Sequence, residues 1–166
     1  MFGALVLGAI PLRFNEPGPA LIFGAYLAAL VLLLATDLDQ RLLPDIVTLP
    51  AIPIALILVL LSLDPFVGTP DLPITVLAAL AVPGLLGLLA IPFGAGAIGI
   101  GDLKLLVSVG LLAGPLRLVS AVIDGALLAG LVVAVLLVLR RISLRSYIPF
   151  GPFLILGTAW AILVVR

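Results

Sequence analysis

Runs of apolar residues, interrupted by short stretches rich in proline, glycine or charge, organise the whole chain. The longer runs reach the roughly 20 residues that a helix needs to cross a hydrocarbon core of about 30 Å. Helices are predicted at 2–12, 18–36, 46–63, 73–93, 102–114, 118–139 and 149–165. The run at 102–114 is short, so it is either sheltered by neighbouring helices or continuous with the glycine-rich stretch before it. We expect an all-α, polytopic membrane bundle of about six to seven transmembrane helices, forming one domain over 1–166.

Composition supports a membrane protein and excludes several other classes. Hydrophobic residues make up 64% of the chain and charged residues 10%, with a mean hydropathy of +1.50, whereas a soluble domain is about half apolar and a quarter charged. We therefore expect lipid as the surroundings. The net charge of zero leaves no basic face for nucleic acid. Because cysteine and histidine are both absent, a metal site would rest on carboxylates alone, and we expect neither a metal nor a cofactor.

The basic residues predict an orientation, since Lys and Arg favour the cytoplasmic side of a membrane. Alternate threading of the predicted helices places five basic residues on one side, namely Arg41, Lys104, Arg140, Arg141 and Arg145. Three lie on the other side, namely Arg13, Arg117 and Arg166. The polar loops at 37–45, 94–104 and 140–148 are accordingly predicted to face the cytoplasm.

Two acidic residues stand at predicted helix ends on that same side. Asp37 follows the second predicted helix, and Asp102 begins the fifth, so their carboxylates are expected at one membrane boundary. Charged groups at membrane depth are costly and tend to face a bundle interior or a wet cavity. Two carboxylates at close range resist double ionisation and can share one proton, so that one activates water while the other polarises a carbonyl. This is the chemistry of an aspartic protease.

The stretch Gly99-Ile100-Gly101-Asp102-Leu103-Lys104 adds two glycines and a base. Glycine removes the Cβ atoms that would block the close approach of a peptide backbone to the acid, and the lysine could add a positive field. An isolated pattern of this kind is more often a helix cap followed by an interface anchor. The pattern therefore needs support from elsewhere in the chain.

Three segments supply that support. They are TDLDQRLLPDIVTLP at 36–50, GIGDLKLL at 99–106 and IPFGPFLILG at 148–157. In this order they resemble the catalytic domain of the prepilin peptidases, also called type IV leader peptidases, which are membrane aspartyl proteases of the GxGD type. The resemblance covers nearly the whole chain.

The resemblance implies roles for individual residues. Asp37 stands eight residues before the Asp of the Pro-Asp pair and corresponds to the first catalytic aspartate, and Asp102 corresponds to the second. Asp45, in the Pro-Asp pair, is given a structural or substrate-positioning role. Asp39 is the rival for the first catalytic position, but the spacing favours Asp37.

The implied activity is hydrolysis of the leader peptide of prepilin, pseudopilin or archaellin-like precursors, at the cytoplasmic boundary of a prokaryotic plasma (inner) membrane. Substrate binding is expected to involve Gly99, Gly101, Lys104 and Asp45. Many members also carry an N-terminal cytoplasmic domain with two CxxC pairs and methylate the new pilin terminus. Since this chain has no cysteine, the resemblance implies the peptidase without the methyltransferase/zinc domain. A homo-oligomer is compatible with the sequence.

Two other function classes stay open at this point. A transporter or channel also uses acids near the membrane, although no inverted repeat is evident and the acids cluster at one face. The second class is a catalytically idle scaffold of a pilus or secretion complex. Against it, helix packing alone does not require two unpaired acids at these positions. Asp124, inside a predicted helix, is expected to have a structural role. Small residues three or four apart, Gly84 and Gly125 among them, predict close approach between helices.

Overall fold

The computed structural model describes residues 2–40, 43–93, 98–141 and 149–165. Within these ranges the chain forms helices and no strand, and the predicted all-α membrane bundle is confirmed. The helices are α1 (Phe2–Arg13), α2 (Pro17–Gln40), α3 (Asp45–Leu60), α4 (Leu72–Ala90), α5 (Ile100–Val138) and α6 (Gly151–Val164). Short 3-10 turns, Thr69–Asp71 and Ile91–Phe93, flank α4. The segments Pro17–Gln40, Thr69–Ala90 and Ile100–Val138 are long and apolar enough to cross a membrane.

A sharp turn divides α5 into two halves, 100–113 and 115–138. Gly114 has φ 82°, a left-handed value that favours glycine, and Pro115 follows it without a backbone N–H to continue the ladder. A methyl group added at Gly110 would lie 2.9 Å from Leu118 Cδ2, whereas eight residues of uninterrupted helix rise about 12 Å. The chain therefore doubles back at Gly114, which agrees with the two separate helices predicted at 102–114 and 118–139.

The first half of α5 lies in the centre of the bundle. Every residue from 108 to 114 is buried, and α5 packs against α3, α4 and α6. Leu105, Leu106 and Val109 contribute large side chains that are almost wholly buried. A helix that is apolar on all sides is typical of such a central position. Of the two explanations for its short length, shelter by neighbouring helices is therefore the correct one.

Aromatic and basic side chains join α1, α2, α5 and the loop before α4. The ring of Phe66 lies 4.7 Å from that of Phe23 and 5.7 Å from that of Phe14, measured between centroids. The guanidinium of Arg117 stands 3.6 Å from the Phe66 centroid, within the range of a cation–π contact. Arg13 donates a hydrogen bond of 3.1 Å to a carbonyl at the end of α6. These contacts fix one end of the bundle.

Asp64 organises the loop that carries this cluster. Its Oδ1 accepts hydrogen bonds from the backbone N–H groups of Phe66, at 2.7 Å, and Val67, at 3.1 Å. The other oxygen is buried and has no hydrogen-bond partner within the described ranges. Burial raises the pKa of Asp64 to about 6, against the opposing effects of the two hydrogen bonds and of Arg117.

This raised pKa predicts a pH dependence of stability. Because folded Asp64 binds its proton more tightly than an unfolded carboxyl of pKa 3.8, the folded state should lose stability as the pH rises from about 4 to about 6. Asp64→Asn keeps the accepting oxygen and removes the titration. Thermal unfolding in detergent should therefore show the wild type losing stability relative to this variant across that interval. Parallel curves for the two proteins would contradict the prediction.

Candidate active site

Two aspartates from distant parts of the chain are buried at helix ends. Asp37 lies in the last turn of α2 and is 4% exposed, and Asp102 lies in the first turn of α5 and is 7% exposed. The second helix was predicted to end at residue 36, but it continues to Gln40. Asp37 is therefore held by helical backbone and does not lie in a loop.

The carboxylates of these two residues face each other across the start of α6. A methyl group added at Gly151 would collide with Asp37 Oδ2 and would lie 2.9 Å from Asp102 Oδ1. Since both distances are below 3.0 Å, the two oxygens are at most about 6 Å apart, roughly the span of two hydrogen bonds through one bridging water. The pairing that the sequence analysis expects is geometrically present.

A hydrogen bond and a shared neighbour hold the helices that carry the pair. The hydroxyl of Tyr26 on α2 lies 2.9 Å from Ser108 Oγ on α5. Because Ser108 donates its only hydrogen to the Leu105 carbonyl, at 2.8 Å, Tyr26 is the donor in the contact between helices. In addition, α6 packs against both α2 and α5. The positions of the two aspartates thus depend on three helices.

The Oδ2 atom of Asp37 is buried and has no hydrogen-bond partner in the part of the chain that the structure describes. An unsatisfied acidic oxygen is costly in such surroundings. Two adjacent carboxyl groups can lower this cost by sharing one proton, and they can also hold a water molecule between them. The arrangement therefore suits acid–base chemistry on a water molecule.

The two glycines before Asp102 have different neighbours. A methyl group on Gly99 would lie 3.3 Å from Asp102 Oδ2, beside the carboxylate. On Gly101 it would lie 2.9 Å from Leu43 Cβ. The segment that leads into α3 therefore packs closely on the first turn of α5, and Gly101 permits this contact.

Lys104 and Asp45 form an ion pair between α5 and α3. Lys104 Nζ donates to Asp45 Oδ1 at 2.8 Å and joins the first turns of α5 and α3. Both side chains are partly exposed, so the pair contributes below about 1 kcal/mol to stability. It nevertheless connects two of the predicted substrate-binding residues, and Lys104 follows Asp102 by two residues.

Comparison with known proteins identifies the family. The model of the type IV leader peptidase family matches residues 24–139, a segment that includes Asp37, Asp45 and Asp102. The chain belongs to the type IV leader peptidase family. The resemblance described from the three sequence segments is thereby confirmed.

The chain is similar to two proteins from Burkholderia pseudomallei, strains 1026b and K96243. Each of them is named a prepilin leader peptidase/N-methyltransferase. Each is 36% identical over 162 residues, which cover 95% of this chain and 50% of the relative. The chain therefore spans about half the length of these relatives. No solved structure matches it.

Gly151 contacts the aspartate pair, and the sequence analysis did not predict this. It lies in the third segment quoted above, IPFGPFLILG, but no role was predicted for it. Its position in that segment was the only available signal, because its proximity to Asp37 and Asp102 arises from the packing of three helices.

Two further acids from the sequence analysis, Asp39 and Asp124, are not part of the buried pair. Asp39, two residues after Asp37, is exposed. Asp124 accepts a hydrogen bond of 3.1 Å from Ser120 and lines a cavity of about 1100 Å³ between α1, α5 and α6, together with Arg13. Neither residue of the buried pair lines that cavity. Within the described ranges, no group of three or more potential metal ligands occurs.

Proposed function

We propose that this protein is an intramembrane aspartyl endopeptidase that removes the leader peptide of type IV prepilin-like precursors. The observation that carries the proposal is the buried pair, Asp37 and Asp102, whose facing oxygens are at most about 6 Å apart. Membership of the type IV leader peptidase family and the similarity to proteins named prepilin leader peptidase/N-methyltransferase support this class of substrate.

The pair would act by general acid–base catalysis. The ionised carboxylate takes a proton from a water molecule held between the two groups, while the protonated carboxyl donates a hydrogen bond to the scissile carbonyl. The water oxygen attacks the carbonyl carbon, and the C–N bond breaks as the leaving amine receives a proton from the pair. One free carboxyl terminus and one free amino terminus result. Because the proton moves within a coupled pair, the acid and base roles belong to both residues together.

Substrate binding is assigned to the residues around the first turn of α5. Lys104 and Asp45 are partly exposed, and Lys104 also lines an apolar cavity of about 440 Å³ between α3, α4 and α5. Gly99 leaves room beside the Asp102 carboxylate, whereas the space beside Gly101 is taken by Leu43. A precursor with an apolar helix and a short leader, such as a prepilin, a pseudopilin or an archaellin-like protein, fits an apolar cavity next to a polar boundary.

The protein is a multi-pass membrane protein, and we place it in a prokaryotic plasma membrane with the aspartate pair facing the cytoplasm. The support is the distribution of basic residues, since Arg140 and Arg141 follow α5 and such residues favour the cytoplasmic side. Three arginines that enter the orientation argument, Arg41, Arg145 and Arg166, lie outside the described residues.

Cleavage of a prepilin-type precursor in liposomes tests the proposal. The purified protein should convert the precursor to a shorter product, and mass spectrometry should place the cut at the junction of leader and apolar helix. A chain with both Asp37→Asn and Asp102→Asn is the control for contaminating proteases. The proposal fails if the wild type leaves the precursor intact, or if the double variant cuts it equally well.

A further inference from the structure

We propose that Gly151 is a positioning residue, whose missing side chain lets the first turn of α6 lie against both Asp37 and Asp102 and thereby sets the separation of their carboxylates. The inference rests on the proposed peptidase function. It adds a third helix and a third residue to a site that the sequence assigns to two aspartates.

A positive φ is not the reason for the glycine at this position. Among the glycines that the structure describes, Gly114 is the one with a positive φ. Gly151 is the first residue of α6 and does not have a positive φ. Pro152 follows Gly151, and a Cβ on the residue before a proline disfavours the helical region, which is a local reason for glycine. The contacts of an added methyl group give a second reason, which involves the site: it would collide with Asp37 Oδ2, lie 3.1 Å from Asp37 Cγ and lie 2.9 Å from Asp102 Oδ1.

The atoms that an added methyl group would meet belong to side chains. Asp37 and Asp102 can rotate away by changing their χ angles, whereas the surrounding helices need not move. Asp37 Oδ2 has no hydrogen-bond partner within the described ranges to hold it in place. A methyl group at 151 should therefore drive the carboxylates apart and leave the bundle folded, so that the reaction geometry suffers and the fold does not.

Kinetics of Gly151→Ala test the proposed role. We expect kcat for precursor cleavage to fall about 100-fold, since displacement of catalytic groups by about 1 Å has effects of that size, with KM little changed. Gly130→Ala is the matched control, because Gly130 lies in α5 and an added methyl group there meets nothing within 4 Å. A Gly151→Ala protein with the kcat of the wild type would overturn the proposal.

A second measurement needs no substrate. In a double-mutant cycle, the shift in unfolding temperature caused by Gly151→Ala should be more favourable in an Asp37→Ala background than in the wild type, because only the wild type must displace the Asp37 carboxylate. Gly130→Ala should give the same shift in both backgrounds. Equal shifts for Gly151→Ala would overturn the proposed contact. Should the wild type cleave no precursor, the peptidase proposal would fail by itself, while this cycle would still decide whether Gly151 positions the pair.

Discussion

Asp37→Asn and Asp102→Asn are each expected to abolish precursor cleavage while the bundle stays folded. Asparagine keeps the size of the side chain and much of its hydrogen bonding, but it cannot carry the proton that the reaction moves. Removing one acid–base group costs about 10²–10⁴ in rate, and a pair that works as a unit should lie toward the upper end, so we expect kcat to fall by about 10³ or more. Cleavage rates in liposomes, with unfolding temperatures measured alongside, check this.

The double variant distinguishes a coupled pair from two independent residues. Groups that act together have strongly non-additive effects, so the chain with both substitutions should be no slower than the slower single variant. Asp39→Asn is the matched control, because Asp39 is exposed and lies on the same helix two residues away. An inactive Asp39→Asn protein beside an active Asp37→Asn protein would move the first catalytic role to Asp39.

Gly157→Ala is expected to cause the largest loss of stability among glycine-to-alanine changes in α6. An added methyl group would collide with the carbonyl oxygen of Ala121 and lie 2.7 Å from the backbone nitrogen of Gly125. These are backbone atoms of α5, so no rotamer change can relieve the overlap and the helices must separate. Overpacking of this kind costs about 3 kcal/mol. Unfolding in detergent, with Gly130→Ala as the control, measures the effect.

Gly151 and Gly157 therefore give opposite expectations for the same substitution in one helix. At Gly151 the added methyl group meets movable carboxylates, and activity should fall without loss of the fold. At Gly157 it meets backbone, and the fold should weaken first. A Gly157→Ala protein that unfolds at the wild-type temperature would show that α5 and α6 can separate at little cost.

The helical bundle and the identity of the two buried aspartates could be predicted from the sequence. Apolar runs of membrane length give the helices directly, and an acid at each of two apolar boundaries predicts where chemistry can occur. The end of α2 was predicted less well. Its last turn, after Thr36, is polar, and polar residues end a hydropathy run without ending a helix. Pro44, just before α3, is the stronger stop signal.

Contacts between helices were predicted in part. Gly125 does meet α6 closely, with an added methyl group 3.0 Å from the Phe153 carbonyl oxygen, as its small size suggested. The same prediction is wrong for Gly84, where such a group meets nothing within 4 Å. A small residue permits close packing, but the placement of the neighbouring helix decides whether it happens. The position of Gly151 between two carboxylates depends on such placement and has no local signal.

The turn at Gly114 has a consequence for how the protein enters its membrane. The half of α5 that carries Asp102 is about 21 Å long, too short to cross a hydrocarbon core of about 30 Å by itself. Joined by a tight turn to the longer half that follows, it is expected to insert together with that half as one hairpin. The first half of α5 would then enter the membrane packed against its second half, and it would not have to cross the hydrocarbon core alone.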